Sequence, residues 1–213
     1  VSGPATYFEN CVYRRGVFEL GWILAYFTFM ARNTLERKGL YEQQRPILDD
    51  YLSHPEVPIS PLKKEVYRHL PLQDWGERLK DGAPYMADFL RHPTDGPYWF
   101  ATDLRRQFHN MNVPILHVGS WYDAFQYDTL TLFTGLCKGA MTPEARRAQK
   151  LLMGPWAHLL PYALPTSKGT GEIDFGPAAL IELHEIQLRW FDHFLKDVNN
   201  GILDEAPIRL FVM

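Results

Sequence analysis

The sequence predicts an α/β protein built on a parallel β-sheet, and two short apolar runs with a helix between them carry that prediction. VPILHVGS begins at Val113 and KLLMG at Lys150, and each leads through small residues to a polar group. A strand buried on both faces reads this way, as a continuous apolar run rather than an alternating one. Between the runs, YDTLTLFTGLCKG (127–139) sets Leu130, Phe133, Leu136 and Cys137 at helical spacing and closes on a glycine. With the charged connector TPEARRAQ this completes strand, helix, strand, the right-handed unit of a parallel sheet.

Residues 1–15, at the start of the chain, show neither strand nor helix period and read as loop. Gly16 introduces VFELGWILAYFTFMARNTLERKGL, a buried helix whose end carries Arg37, Lys38 and Gly39, the cations and glycine that a helix C-terminus favours. Its apolar stretch, about fifteen residues interrupted by Glu19, falls short of the roughly twenty that span a bilayer. From 41 to 112, Pro46, Pro55, Pro58, Pro61, Pro71, Pro84, Pro93 and Pro97 exclude long helices and predict short ones such as PYMADFLRH (84–92). The aromatics of this region, Trp75, Tyr85, Phe89, Tyr98, Trp99 and Phe100, suit either a lid over an apolar pocket or a small core of their own. Residues 159–177 hold too much Gly and Pro for regular structure and read as a long loop. AALIELHEIQLRWFDHFLKD (178–197) is an amphipathic helix with Leu180, Leu183, Ile186, Trp190, Phe191 and Phe194 on one face and Gly201 beyond its end. APIRLFVM reads as a strand cut off at Met213.

Composition narrows the function. Of 213 residues, 46% are hydrophobic, enough for a sizeable core. The net charge of −3 comes from interspersed acids and bases without a basic stripe, so nucleic acid is not expected as a partner, and neither is a membrane. Cys11 and Cys137 are far apart and form no CxxC pattern, which argues against a disulfide framework or a zinc site. No signal peptide is visible, and a cytoplasmic location is expected, although the chain does not open on methionine.

Asp123 and His158 stand just past the two predicted strands. Ligands in open α/β sheets bind outside the carboxyl ends of the strands, so these two groups can meet over one pocket. A carboxylate and an imidazole are two members of a Ser-His-Asp triad, and their order along the chain fits the Ser, Asp, His order of α/β-hydrolases. None of Ser2, Ser53, Ser60, Ser120 and Ser167 stands in a G-x-S-x-G elbow. His184 and His193, nine apart on one helix, cannot make the i, i+4 pair that binds zinc, and His117 reads as a core residue. No metal or organic cofactor is expected.

GSWYDAF and GPWAH resemble the G-G-W-Y-D-x-F and G-P-W-x-H signatures of the cocaine esterase-like (CocE/NonD, peptidase S15-related) serine hydrolases. GEIDFGPAA, WFDHFLK and PIRLFVM resemble the segments downstream of those signatures in that family, and HPTDGPYWF a segment of its helical cap. The resemblance implies a cap over residues 1–110, the C-terminal half of an α/β-hydrolase sheet over 111–205, and the first strand of a C-terminal jelly roll over 206–213. It further implies that Asp123 orients His158, and that nucleophile and oxyanion donors lie outside this chain, leaving the fragment inactive alone and prone to associate with itself or with the missing segment. Phe125, Trp22 and Trp121 are the candidates for contacting substrate. Ser120 departs from the usual second glycine. Ala124, Phe125 and Gln126 stand where related α-amino acid ester hydrolases carry acids that hold a substrate ammonium, so an uncharged ester, amide or short peptide acyl group is expected. An Xaa-Pro dipeptidyl-peptidase and a non-catalytic ligand-binding or partner-completing module are the alternatives.

Overall fold

The computed structural model describes residues 5–55, 61–158, 167 and 172–212. They divide into two compact units: one is Cys11–Tyr98, and the other unites the segment up to Asn10 with the chain from Trp99 onward. This division differs from the expected boundary near residue 110, because the opening segment is tied to the second unit. Leu104 N donates to the Ala5 carbonyl at 2.9 Å, Ala5 N donates to Asp128 Oδ1 at 2.6 Å, and Arg105 reaches Glu9 at 2.6 Å.

The Cys11–Tyr98 unit is helical. The described part of the loop expected over 1–15 holds regular structure: a single π-helical turn (Phe8–Val12), begun in the other unit, runs into β1 (Tyr13–Arg14), which pairs antiparallel with β2 (Val17–Phe18). Arg15 (φ 52°) and Gly16 (φ 83°) form the two-residue connection, a geometry that matches the strand twist and that periodicity cannot reveal in so short a hairpin. α1 (Leu20–Lys38) ends where Gly39 turns left-handed at φ 69° and its N–H returns to the Glu36 and Leu35 carbonyls. α2 (Tyr41–Tyr51) runs straight through Pro46, where a break was expected; the helix gives up one backbone bond there and still buries Leu48 and Tyr51. α3 (Lys64–Tyr67), α4 (Asp74–Arg78) and α5 (Tyr85–Arg91) are short, as the prolines dictate. The aromatics make a core here: Phe27 meets Tyr85 edge-on at 4.6 Å and Phe89 at 5.4 Å, and Tyr13 donates its hydroxyl to the Phe89 carbonyl. α6 (Pro97–Phe100) straddles the boundary between the units.

The second unit is the α/β part. β3 (Ile115–Tyr122), α7 (Gln126–Gly139), α8 (Pro143–Arg147), β4 (Gln149–Ala157), α9 (Leu183–Lys196) and β5 (Ile208–Leu210) come in that order, and the strands form one parallel sheet in the order β3-β4-β5. One face packs Leu151 and Met153 against Phe133 of α7. The other packs Val118, Leu152 and Trp156 against Ile181 and Leu183, with Ile186 of α9 alongside. Both strands outrun the apolar runs that announce them: β3 continues through Trp121 and Tyr122, and β4 through Gly154-Pro155-Trp156.

Three further expectations change. The charged connector contains α8, where Thr142 caps the helix by accepting from Ala145 N at 3.2 Å. α9 begins at Leu183 rather than 178, after a 3₁₀ turn at Pro177–Ala179, and the residue that caps its end is the left-handed Asp197 (φ 54°), not Gly201. The face that α9 buries is Leu183 and Trp190, whereas Leu180 and Phe191 are about half exposed. β5, expected as the opening strand of a separate β domain, pairs in parallel with β4 and so belongs to this sheet. Most of the expected 159–177 loop lies outside the described residues.

Candidate active site

The site sits where β3 and β4 end. Along most of their length the two strands keep step, from Ile115 opposite Gln149 to Ser120 opposite Gly154. Then the register slips, and Tyr122 falls opposite Ala157, so β4 spends one more residue than β3 on the last stretch. Gly154 permits this, because a Cβ there would lie 2.2 Å from the Trp156 ring. Trp156 is buried and donates Nε1 to the Ala179 carbonyl at 2.8 Å, fixing the end of the strand.

Two residues past these ends meet. His158 Nδ1 donates to Asp123 Oδ1 at 2.9 Å, which makes the neutral ring the tautomer with its hydrogen on Nδ1. The Asp123 side chain is 1% exposed and that of His158 45%, so the carboxylate is enclosed while the imidazole faces outward. Asp123 is held by the turn into α7: its N–H reaches the Ser120 carbonyl, its carbonyl receives Gln126 N–H, and Oδ1 also accepts Phe125 N–H at 2.8 Å. The second oxygen, Oδ2, is buried and has no donor among the described residues. A carboxylate so placed fixes an imidazole by hydrogen bond and charge, leaving Nε2 to exchange protons with whatever stands before it.

The other candidates divide. Phe125 stands edge-on to the His158 ring at 5.3 Å, so it borders the pair directly. Trp121 is part-buried against the Leu151, Phe133 and Met153 cluster and donates Nε1 to the Phe211 carbonyl at 2.9 Å, a contact that ties β3 to the chain just past β5. Trp22 belongs to the Cys11–Tyr98 unit, where it stacks on Tyr26 at 5.3 Å. Ser120 is buried in β3 with its hydroxyl 3.5 Å from the Ala157 carbonyl. His117 is a core residue as expected: Nε2 donates to Gln149 Oε1 at 2.9 Å, and burial pushes its pKa down to about 4.

The rim also carries rings that no sequence pattern brings together. Tyr122, Phe175 and Phe211 form a row, each 5.8 Å from the next, with Tyr122 40% exposed beside Asp123. Tyr122 stands within the GSWYDAF motif, but its partners come from segments that no local pattern connects to it. Among the described residues no three His, Cys, Asp or Glu side chains group as a metal site, and no helix is long and apolar enough to cross a membrane.

A parallel sheet presenting a buried carboxylate and an outward imidazole at its carboxyl edge belongs to the α/β class with a site equipped for proton transfer. The model of the X-Pro dipeptidyl-peptidase (S15) family matches residues 5–160, which takes in the Cys11–Tyr98 unit and the part of the other unit that holds Asp123 and His158, and the chain belongs to that family. A serine-hydrolase type of chemistry comes with that membership. No curated protein matches the chain.

Proposed function

We propose that this chain supplies the acid and base members of a serine hydrolase acting on ester, amide or peptide bonds, with Asp123 orienting His158 and a serine outside the chain as nucleophile. The 2.9 Å contact between His158 Nδ1 and Asp123 Oδ1 is the observation that carries this reading. In the acylation step Nε2 of His158 takes the serine proton as the hydroxyl oxygen attacks the acyl carbon. The imidazolium then returns that proton to the departing alcohol or amine, and water repeats the sequence to release the acid. Throughout, the Asp123 carboxylate stays ionised and stabilises the imidazolium. Ser120 is a poor nucleophile by comparison, since it is buried within β3 and its hydroxyl is turned to a backbone carbonyl.

Phe125 against the His158 ring makes the acyl side apolar, and Ala124 and Gln126 beside it carry no charge, so an uncharged acyl group suits the site. The second reading, an Xaa-Pro dipeptidyl-peptidase, is favoured by the description of the family itself. Cys11 and Cys137, which are not joined in a disulfide, suit a cytoplasmic location. The test is labelling with a fluorophosphonate probe. The chain alone should remain unlabelled, and co-expression with a segment bearing a nucleophile elbow should produce labelling that His158→Ala abolishes. Labelling of the chain alone, or labelling indifferent to His158, would remove the proposal. In the assembled enzyme, p-nitrophenyl butyrate cleaved in preference to Ala-Pro-p-nitroanilide separates the esterase from the dipeptidase. A complex never labelled under any condition belongs to the non-catalytic ligand-binding or partner-completing module.

A further inference from the structure

We propose that the opposite, amino-terminal end of the sheet carries a second small-molecule site, a cavity that takes a short apolar monocarboxylate between Lys150 and Arg209. A cavity of about 200 Å³ opens there between the sheet and α9. Leu116, Leu152, Ile186, Ile202 and Ile208 wall it, and Lys150, Arg189, Glu205 and Arg209 edge it. Leu116 and Lys150 lie opposite each other at the start of β3 and β4, and Leu152 lies opposite Arg209 of β5. The strands are parallel, so the six residues from Leu116 to Tyr122 put about 20 Å between this cavity and the ends where Asp123 and His158 meet. The site is therefore separate from the proposed active site and does not depend on its function.

Charge selects the ligand. Three cationic groups and one carboxylate edge the cavity, and that carboxylate is already engaged, because Arg189 Nη2 donates to Glu205 Oε1 at 2.5 Å. Lys150 is 7% exposed, and its ammonium donates to the backbone carbonyls of Glu205 and Ala206 at 2.5 and 3.4 Å. Its hydrogen bonds thus go to neutral carbonyls, and burial lowers its pKa, aided by the charge of Arg189 and opposed by the nearby Glu205 and Asp204 carboxylates. Arg209 has no ion pair among the described residues. Counting Asp204, which lies close enough to act on Lys150, three cations face two carboxylates; one monoanion balances them, and apolar walls in so small a space admit a short aliphatic tail. A carboxylate meets both demands: its two oxygens suit a guanidinium and an ammonium together, while its chain fills the space among Leu116, Leu152 and Ile186.

Calorimetric titration of the whole chain with hexanoate, against hexanamide at the same ionic strength, tests the site. Saturable hexanoate binding at least about tenfold tighter than hexanamide is expected, weakened about tenfold by Arg209→Ala and retained by Arg209→Lys. Arg209 is exposed, so the alanine variant should melt as the parent does. Binding should also survive His158→Ala. Absence of saturable binding, equal affinity for the amide, indifference to Arg209→Ala, or loss in His158→Ala would each overturn the proposal, the last by moving the ligand to the other end of the sheet.

Discussion

His117 shows how much a single buried residue ties this chain to pH. Its ring lies in the sheet edge-on to Phe133 at 5.7 Å, donates to Gln149 through Nε2, and leaves Nδ1 buried without a partner. Gln149 in turn spends its amide on the Val113 and Ala145 carbonyls, so its oxygen accepts from the histidine; that bond favours the charged ring, and burial outweighs it to hold the ring neutral. The folded pKa of about 4 lies below the ordinary 6.5, so between those values the unfolded chain binds the extra proton. Stability is complete above about pH 6.5 and falls as pH drops towards 4, by up to about 3 kcal/mol from this group alone. Urea titrations from pH 7.5 to 4 should show that decline, and His117→Gln should flatten it; an unchanged slope would place the loss elsewhere. The Asp123–His158 pair gives a second prediction at this scale. Asp123→Asn should remove the downfield Nδ1 proton resonance of His158 in this chain, and reduce turnover of the assembled hydrolase by about 10⁴-fold with little change in KM.

At the scale of elements, the packing of α7 and the capping of α8 are the sharpest tests. α7 lies so close to the 3₁₀ turn Leu104–Asn110 that a Cβ on Gly135 would fall 2.0 Å from the Phe108 ring. Gly135→Ala should cost about 1–3 kcal/mol in thermal or denaturant unfolding, although alanine is the better helix former. Thr142→Ala should cost about 1 kcal/mol through loss of the α8 cap. That cap was legible in Thr142-Pro143-Glu144, a helix-start signal, but five residues between two stronger elements are easily absorbed into a connector. α7 was legible almost to the residue and α1 at its glycine stop, because long helices carry several turns of pattern, while the start of α1 falls three residues later than its apolar run, after β2. α9 was read too wide. Its apolar arc is broad, and only contact with the sheet selects Leu183 and Trp190 over Phe191, 53% exposed, and Leu195, 75% exposed.

For the whole molecule, the described sheet has three strands, so β3 and β5 are both edges. Ile208 and Leu210 of β5 are more than 40% exposed, and with Leu188, Phe191 and Leu195 of α9 they leave apolar surface on both sides of the sheet. Unpaired edges beside such surface favour association, so sedimentation velocity should show mass rising with concentration. A single monomeric species across the micromolar range would show that these surfaces are tolerated. What the sequence determined alone was everything local in cause: the strand-helix-strand unit, the long helices and the polar residues just past the strands. Which of those residues touch was decided by tertiary structure. Asp123 and His158 stand 35 positions apart, and their contact depends on a register slip that Gly154 and Trp156 create between strands. The seating of β5 beside β4 and the cavity under α9 likewise arise from pairing between distant segments, which hydrophobic period does not encode, because period records which face is buried and not what buries it.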